Sequence, residues 1–167
     1  MVDSKRFEDS YLGSLRKSLG NQTLISPGAR IILINAKDEV LLQLRADFKV
    51  WGLPGGSPEI GESIFQCIQR EVMEETGLIL NSAKAFGFSS NPKIETIEYP
   101  NKDKVQGFSL LFYSKDWSGE LLSDNSESLD LRFFKASDIP QLHLHSLDKY
   151  SFELFHKFKQ SKHFQVG

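Results

Sequence analysis

The sequence predicts a single mixed α/β layered domain of the α+β type. Two β-like runs come first, an acidic helix follows, and further strands precede an amphipathic closing helix. The chain of 167 residues is long enough for one domain with a sizeable core but is short for two domains. The hydrophobic content of 40% and the charged content of 25% are ordinary for a globular protein.

Charge and composition narrow the function classes. A net charge of −2 and a pI near 6.1 provide no general attraction for nucleic-acid backbone or anionic membrane. Local groups or a metal must therefore hold any phosphate-bearing ligand. The single cysteine, Cys67, excludes an internal disulfide and fits a reducing compartment. Apolar runs are too short for a membrane span and no signal-peptide pattern opens the chain, so we expect a cytoplasmic protein without nucleic-acid or membrane partners.

A short amphipathic helix is predicted over residues 5–18, because apolar residues recur there at helical spacing and Gly20 is a typical stop. We expect residues 1–25 to form a helical extension, residues 26–160 the main domain, and residues 161–167 a C-terminal tail. Two roles for the first helix stay open. It packs on the core, or it forms the contact between two copies of the chain in a homodimer.

The remaining elements follow from alternating apolar patterns and turn residues. Ser26-Pro27-Gly28 reads as a break before the first strand. The pattern then predicts strands at 29–34, 40–44, 85–89, 94–98, 107–113 and 129–134, and a closing helix at 146–158. Residues 99–103 read as a hairpin tip.

The acidic helix is the most informative segment. Ser63 followed by Gln66 is a capping-box pattern that starts it, and Gly77 stops it. At 100° per residue, three glutamates share one face without a Lys or Arg three or four positions C-terminal to them, namely Glu71, Glu74 and Glu75. Like charges at these spacings repel by roughly 0.2–0.5 kcal/mol per pair. A hard divalent cation would compensate this repulsion, and a solvated glutamate-rich surface is the other interpretation.

The loop before this helix adds a further indication. Gly52, Gly55 and Gly56 allow backbone to come close to a ligand or to offer a carbonyl oxygen to a metal. Gly56 is followed after five residues by Glu62, and after seven more by Arg70-Glu71-Val72-Met73-Glu74-Glu75-Thr76-Gly77-Leu78. This segment resembles the Nudix box at every fixed position. The resemblance extends more loosely from Gly28 to Phe158, and it implies a Nudix-like α/β/α sandwich with a mixed β-sheet.

The resemblance also implies a metal-dependent reaction. Nudix hydrolases cleave the pyrophosphate bond of a nucleoside diphosphate linked to another group. By similarity, Glu71, Glu74, Glu75 and the Gly55 carbonyl would ligate Mg²⁺ or Mn²⁺, and Arg70 and Glu62 would orient these ligands. The general base stays open between a box glutamate and Glu127, which lies where MutT-like members carry a further functional glutamate. Glu95 and Glu98 are other acids that the fold would have to bring near.

Substrate contacts are predicted from residues that flank the glycine loop. Arg45 follows a strand and would reach a phosphate, or it is an exposed residue at the strand end. Phe48 and Trp51 would stack on a base, or they pack in the core. His143 and His145 are interpreted as surface residues. ADP-ribose or a related nucleotide sugar is the first choice of substrate, and a MutT-like nucleoside triphosphate pyrophosphohydrolase or a non-catalytic nucleotide-sensing module are the alternatives.

Overall fold

The computed structural model describes residues 9–122 and 128–167. Four α-helices and eleven strands are assigned in this part of the chain, together with a 3₁₀ turn at Ile139–Gln141. In chain order they are α1 (Tyr11–Leu19), β1 (Leu24–Leu33), β2 (Val40–Arg45), β3 (Trp51–Gly52), β4 (Gly55–Gly56), α2 (Ile64–Thr76), β5 (Ile79–Leu80), β6 (Lys84–Ser89), α3 (Pro92–Glu95), β7 (Thr96–Glu98), β8 (Lys104–Ser114), β9 (Trp117–Ser118), β10 (Ser128–Phe134), α4 (Ser146–Ser161) and β11 (Gln165–Val166). Among the described helices, none is both long and apolar enough to cross a lipid bilayer.

The central sheet has six strands and is built around one long parallel pair. Strands β1 and β8 run parallel from Leu24 opposite Val105 to Leu33 opposite Ser114. Strand β4 is antiparallel on the other edge of β1, and β6 and β7 are antiparallel to β8. Strand β11 continues the sheet in parallel beyond β6, within the segment that the sequence leaves as a tail. Strands β10, β2 and β3 form a second, antiparallel sheet, and β5 pairs with β9.

Apolar side chains pack on both faces of β1, so a helix lies on each side of the central sheet. Because successive side chains of a strand point to opposite faces, neighbouring residues of β1 join different clusters. Ile32 packs with Phe86 of β6 and Leu154 of α4. Ile31 packs with Ile68 of α2. The α/β/α sandwich with a mixed sheet is therefore confirmed.

The acidic helix begins and ends where its local sequence predicts. The Ser63 hydroxyl accepts a hydrogen bond from the Gln66 amide at 3.2 Å, and the Gln66 side chain accepts one from the Ser63 amide at 2.9 Å. At the other end Gly77 has a left-handed φ of 77°, and its N–H donates to the Met73 carbonyl. The capping box and the glycine stop are both confirmed, and they set where α2 begins and ends.

The first strand begins earlier than expected, and it includes Pro27 instead of starting after it. The Ile31 amide donates to the Pro54 carbonyl on the β4 side of β1, at 3.0 Å. Since amides alternate between the two edges of a strand, the Pro27 nitrogen lies on that same edge. Strand β4 pairs only with Ala29 and Arg30, so no ladder partner needs an N–H from Pro27.

Two other elements differ from their predicted bounds. Helix α1 starts at Tyr11, because Ser10 is extended and its hydroxyl caps the Gly13 amide at 3.0 Å. Residues 5–8 of the predicted helix lie outside the described part. The stop at Gly20 is confirmed, and the homodimer role of α1 stays a prediction. The strand predicted over 94–98 was wrong in its first half, because Asn91 and Pro92 start the short helix α3 there.

Candidate active site

The glycine strand β4 brings backbone into contact with both β1 and the acidic helix. A Cβ atom on Gly55 would lie 2.2 Å from the Ala29 carbonyl oxygen, so only glycine fits against β1. A Cβ atom on Gly56 would lie 2.3 Å from Oε1 of Glu71. The Glu71 carboxylate therefore lies directly against the backbone of β4.

Arg70 holds three carboxylates at once. Its Nε and Nη2 donate to the two oxygens of Glu62 at 2.8 and 3.1 Å, and its Nη1 donates to Glu71 at 2.8 Å and to Glu74 at 2.9 Å. Nη2 also reaches the Ser57 carbonyl at 3.0 Å. Burial alone would lower the pKa of Arg70, but the hydrogen bonds and charges of these acids raise it. The guanidinium is thus a fixed cation that orients the acidic face.

Glu75 lies deeper than the other two glutamates of this face. It is only 4% exposed, and it accepts a hydrogen bond from the Gly55 amide at 2.8 Å. Burial, followed by the negative charge of Glu71, raises its pKa to about 8, although hydrogen bonds from Gln43 and Gly55 and the charge of Arg45 act in the opposite direction. Its neighbours therefore favour a proton or a cation on this carboxyl.

The donor set fits a hard divalent cation in its chemistry. Glu71, Glu74, Glu75 and Gly55 all line one cavity, and they offer only oxygen atoms, which are the ligands that such cations prefer. In residues 9–122 and 128–167, no three acidic, histidine or cysteine side chains already surround one point. Arg70 draws Glu71 and Glu74 to itself, so a cation binding here would have to compete with its guanidinium.

A cavity of about 480 Å³, called the large cavity below, opens in front of these carboxylates. Three parts of the chain form its walls: the acidic helix with the glycine loop, the end of β2, and α1 together with the β7–β8 hairpin. The residues outside the acidic helix and glycine loop include Ser10, Leu12, Arg16, Gln43, Arg45, Asp47, Tyr99, Asn101 and Asp103. The predicted site residues Glu71, Glu74, Glu75, Arg70, Gly55 and Arg45 are therefore brought together here.

Arg45 and Phe48 lie next to each other at the edge of this site. Arg45 donates to both oxygens of Asp47, at 3.0 and 2.6 Å, and its guanidinium carbon lies 5.6 Å from the centre of the Phe48 ring. Phe48 also contacts Tyr99 and His145, with ring centroids 5.4 and 5.1 Å away. Both residues are thus placed where a ligand would reach them, and Arg45 is held by an acid instead of standing free at a strand end.

Trp51 lies elsewhere. Its ring centroid is 4.7 Å from that of Phe134 in an edge-to-face contact, and the guanidinium of Arg132 covers it at 5.8 Å. It does not belong to the described residues that line the cavities at this site. The structure therefore favours the core-packing alternative for this side chain.

The other acids considered as general bases, Glu95 and Glu98, lie in different surroundings. Glu95 is buried and bound to Arg30 at 2.6 Å, whereas Glu98 is exposed and paired at 3.2 Å with Lys102 and with a second lysine of the same hairpin. Neither lines the large cavity as far as the described residues go. Glu127 lies outside the described residues, so its role stays a prediction.

The prediction for His145 was wrong. Its neighbour His143 is exposed, but His145 is half-buried against Phe48 because it lies at the start of α4 and faces inward. Burial and the charges of Arg45 and Arg30 lower its pKa, so the ring is neutral at pH 7.

Cys67, the single cysteine, is fully buried on α2. Its thiol lies 3.8 Å from the Gly56 carbonyl. Burial, together with the charge of Glu71, raises its pKa to about 12, so it stays a protonated thiol. A larger side chain at this position would push α2 away from β4.

A second cavity of about 110 Å³, called the small cavity below, adjoins the large one. Asp148 and His145 line it, and Asp148 Oδ1 and His145 Nδ1 are buried without a hydrogen-bond partner among the described residues. Burial raises the pKa of Asp148 to about 6, against the charges of Arg30 and Arg45. Unpartnered buried polar atoms beside a cavity are available to a ligand.

Sequence reasoning missed Asp148 and Arg16. Asp148 shares a face of α4 with the buried residues Ser151 and Phe155, at helical spacings of three and seven. A carboxylate on the buried stripe of a helix was a signal that the sequence contained. Arg16 carried no comparable signal, because its partner Lys104 is distant in the chain.

Comparisons with known proteins agree with this geometry. A family model for the NUDIX domain matches residues 25–158. The chain is 27% identical over 117 residues to a putative 8-oxo-dGTP diphosphatase of Bacillus subtilis, covering 70% of this chain and 71% of that protein. It is 27% identical over 142 residues to an ADP-ribose pyrophosphatase of Methanocaldococcus jannaschii, covering 84% and 75%.

Solved structures give the same fold. The MutT protein of Bacillus halodurans superposes with a TM-score of 0.63 at 27% identity, covering 77% of this chain and 80% of that one. The chain also matches NAD-capped RNA hydrolases named NudC, such as that of Pseudomonas aeruginosa, at 31% identity over 120 residues; the match covers 71% of this chain and only 39% of that relative's length.

Proposed function

Because the chain belongs to the NUDIX domain family and is a pyrophosphohydrolase of that family, we propose that it cleaves a nucleoside diphosphate linked to a second group, with ADP-ribose or a related nucleotide sugar as substrate. The observation that supports this most directly is the large cavity, where the acidic helix forms one wall and polar residues of α1 and the β7–β8 hairpin form another. A diphosphate lies at the first wall in this proposal, and the second group lies at the other.

The metal would be Mg²⁺ or Mn²⁺, held by the Glu71, Glu74 and Glu75 carboxylates and the Gly55 carbonyl. Bound there, it would neutralise the diphosphate and lower the pKa of a water molecule. Arg70, itself anchored by two hydrogen bonds to Glu62, keeps the carboxylates aimed at one side of α2.

The proton of the attacking water would go to a box carboxylate or to Glu127. Ser128, the next residue in the chain, donates to the Gln43 side chain at 2.6 Å, and Gln43 lines the large cavity. Glu95 and Glu98 are less suited to this role, since each is bound to a basic side chain outside the large cavity.

The charge of the large cavity supports a nucleotide sugar over a triphosphate. Its described lining contains six acidic and three basic side chains, and the basic ones are Arg16, Arg45 and Arg70. Each of these arginines is already bound to a carboxylate. Three of the acids are the proposed metal ligands, and a further phosphate would meet the other three, Asp47, Glu59 and Asp103, whereas sugar hydroxyls would find hydrogen-bonding partners.

The base of the nucleoside would occupy the small cavity. Phe48 offers an aromatic surface there, and Asp148 Oδ1 and His145 Nδ1 offer unpartnered polar atoms to the edge of a base. A nucleoside triphosphate is the second candidate, and the relative from Bacillus subtilis named as a putative 8-oxo-dGTP diphosphatase favours it.

A hydrolysis screen with Mg²⁺ or Mn²⁺ tests the proposal. The substrates are ADP-ribose, other nucleotide sugars, dinucleotides and nucleoside triphosphates, and the products are separated by chromatography. We expect AMP and ribose 5-phosphate from ADP-ribose. Faster release of pyrophosphate from a triphosphate would favour the second candidate, and tight binding without cleavage of any compound would favour the nucleotide-sensing alternative.

A further inference from the structure

Helix α1, which the sequence places outside the main domain, forms part of the wall of the large cavity. Ser10, Leu12 and Arg16 line the large cavity, and the small cavity has no lining residue from α1 among those described. The Tyr11 amide at the start of the helix donates to Oε2 of Glu59, in the loop that leads to α2, at 3.1 Å. The helix is therefore attached at its first turn to the loop before the acidic helix.

Arg16 attaches the helix to the opposite side of the cavity. Its Nη1 donates to the carbonyls of Gly20 and Gln22 at 3.0 and 2.5 Å, and its Nη2 donates to the carbonyl of Lys104. Its Nε lies 3.5 Å from Oδ1 of Asp103, and both side chains are largely buried, with 9% and 14% exposed. One guanidinium thus joins α1, the turn that follows it, and the β7–β8 hairpin.

The relative position of the two cavities indicates which end of the substrate would lie against α1. Residues shared by both cavities include Gly55, Gly56 and Arg45, and also Tyr99 and Val105 of the β7–β8 hairpin, whereas Asn101 and Asp103 at the hairpin tip line the large cavity alone. A diphosphate held beside Gly55 and Gly56 has the small cavity on one side and the α1 side of the large cavity on the other. If the base enters the small cavity, the group beyond the diphosphate extends towards α1.

We propose that α1 and the tip of the β7–β8 hairpin, at Asn101 and Asp103, form the subsite for the group beyond the diphosphate, and that Arg16 is the positioning residue that holds this wall in place. The inference rests on the proposed function. Ser10, Asn101 and Asp103 supply hydroxyl, amide and carboxylate groups, which suit the several hydroxyls of a sugar. Asp103 also accepts a hydrogen bond from the Asn101 amide at 2.9 Å, so the hairpin side of the wall is internally fixed.

Kinetics on two substrates test the role of Arg16 in the full chain. ADP-ribose carries a sugar beyond the diphosphate, and the methyl ester of ADP carries one carbon there. Arg16→Ala should raise KM for ADP-ribose about tenfold, the effect of losing one good polar contact, while kcat and the KM for the methyl ester change less than about twofold. Arg16→Lys should restore part of the loss, and Arg132→Ala, an exposed arginine away from both cavities, is the matched control.

Hydrogen exchange of the amides in residues 10–20 gives a readout that needs no turnover. The α,β-methylene analogue of ADP-ribose should slow this exchange in the wild type but not in Arg16→Ala, and α,β-methylene-ADP should leave it unchanged. Equal protection by both analogues, or an equal loss of activity on both substrates, would overturn the inference. Failure of the wild type to hydrolyse either substrate would contradict the proposed function. In that case, protection by the ADP-ribose analogue alone would still support the subsite at α1.

Discussion

Replacing Asp148 with asparagine removes a titrating proton from the wall of the small cavity with little change in shape. The carboxyl is 2% exposed, and the Leu53 amide donates a hydrogen bond to it. An asparagine side chain retains an oxygen for that hydrogen bond. The charged groups that act on this carboxyl are Arg30, Arg45 and Glu95, and they stay unchanged in the variant.

The expected magnitude follows from the pKa of this carboxyl, which burial raises from 3.8 to about 6. Between these values the folded state binds more protons than the unfolded chain, so the free energy of unfolding falls as the pH rises through this window. The difference between these two pKa values corresponds to about 3 kcal/mol in the free energy of unfolding. Because asparagine does not titrate, the free energy of unfolding of Asp148→Asn relative to the wild type should increase by about 3 kcal/mol between about pH 3 and pH 7.5.

Urea unfolding followed by tryptophan fluorescence at a series of pH values measures this difference. Asp138→Asn, at an exposed position, controls for the loss of a surface charge. A stability difference between Asp148→Asn and the wild type that stays constant over the whole pH range would refute the reasoning. It would mean that burial does not hold the proton on Asp148.

Three further predictions concern the acidic face. Glu74→Gln and Glu75→Gln should each lower kcat at least about 100-fold, because each removes a ligand of a metal-assisted step. Near-normal turnover in both variants, with an unchanged circular dichroism spectrum, would exclude these two residues as ligands. Thorough removal of divalent cations with a chelator should abolish hydrolysis, and added Mg²⁺ should restore it; activity that survives the chelator would overturn the metal-dependent mechanism. Gly56→Ala should weaken Mn²⁺ binding, measured by calorimetry, about tenfold or more, because its Cβ would lie 2.3 Å from Oε1 of Glu71, and unchanged affinity would show that Glu71 need not stay at that position.

The parts of the site that sequence predicts correctly are those set by local chemistry. The capping box of Ser63 and Gln66 and the stop at Gly77 both depend on spacing within one helix. Such spacing is visible in the sequence before any tertiary structure is known. The glycines before α2 are a related signal, since the absence of a side chain lets backbone come close to another group, but the sequence did not identify Glu71 as the neighbour of Gly56.

The parts that sequence did not predict depend on contacts between distant segments. Arg16 meets the carbonyl of Lys104, 88 residues away, and Arg30 meets Glu95, 65 residues away. Nothing in the local pattern around either arginine identifies such a partner. The inward orientation of His145 likewise follows from how α4 packs, which explains why its alternating polar pattern was misinterpreted as exposed.

Arg70 also bears on how the chain folds before any ligand arrives. Its guanidinium acts as an internal counter-ion for Glu62, Glu71 and Glu74, so the acidic face is already neutralised in part when α2 packs on the sheet. Folding therefore does not have to wait for a cation. The same compensation lowers the affinity for a cation that arrives alone, since Glu71 and Glu74, unlike Glu75, already accept charge-assisted hydrogen bonds from Arg70. Arg70 thus lowers the affinity for a metal and, in return, stabilises the packed acidic helix.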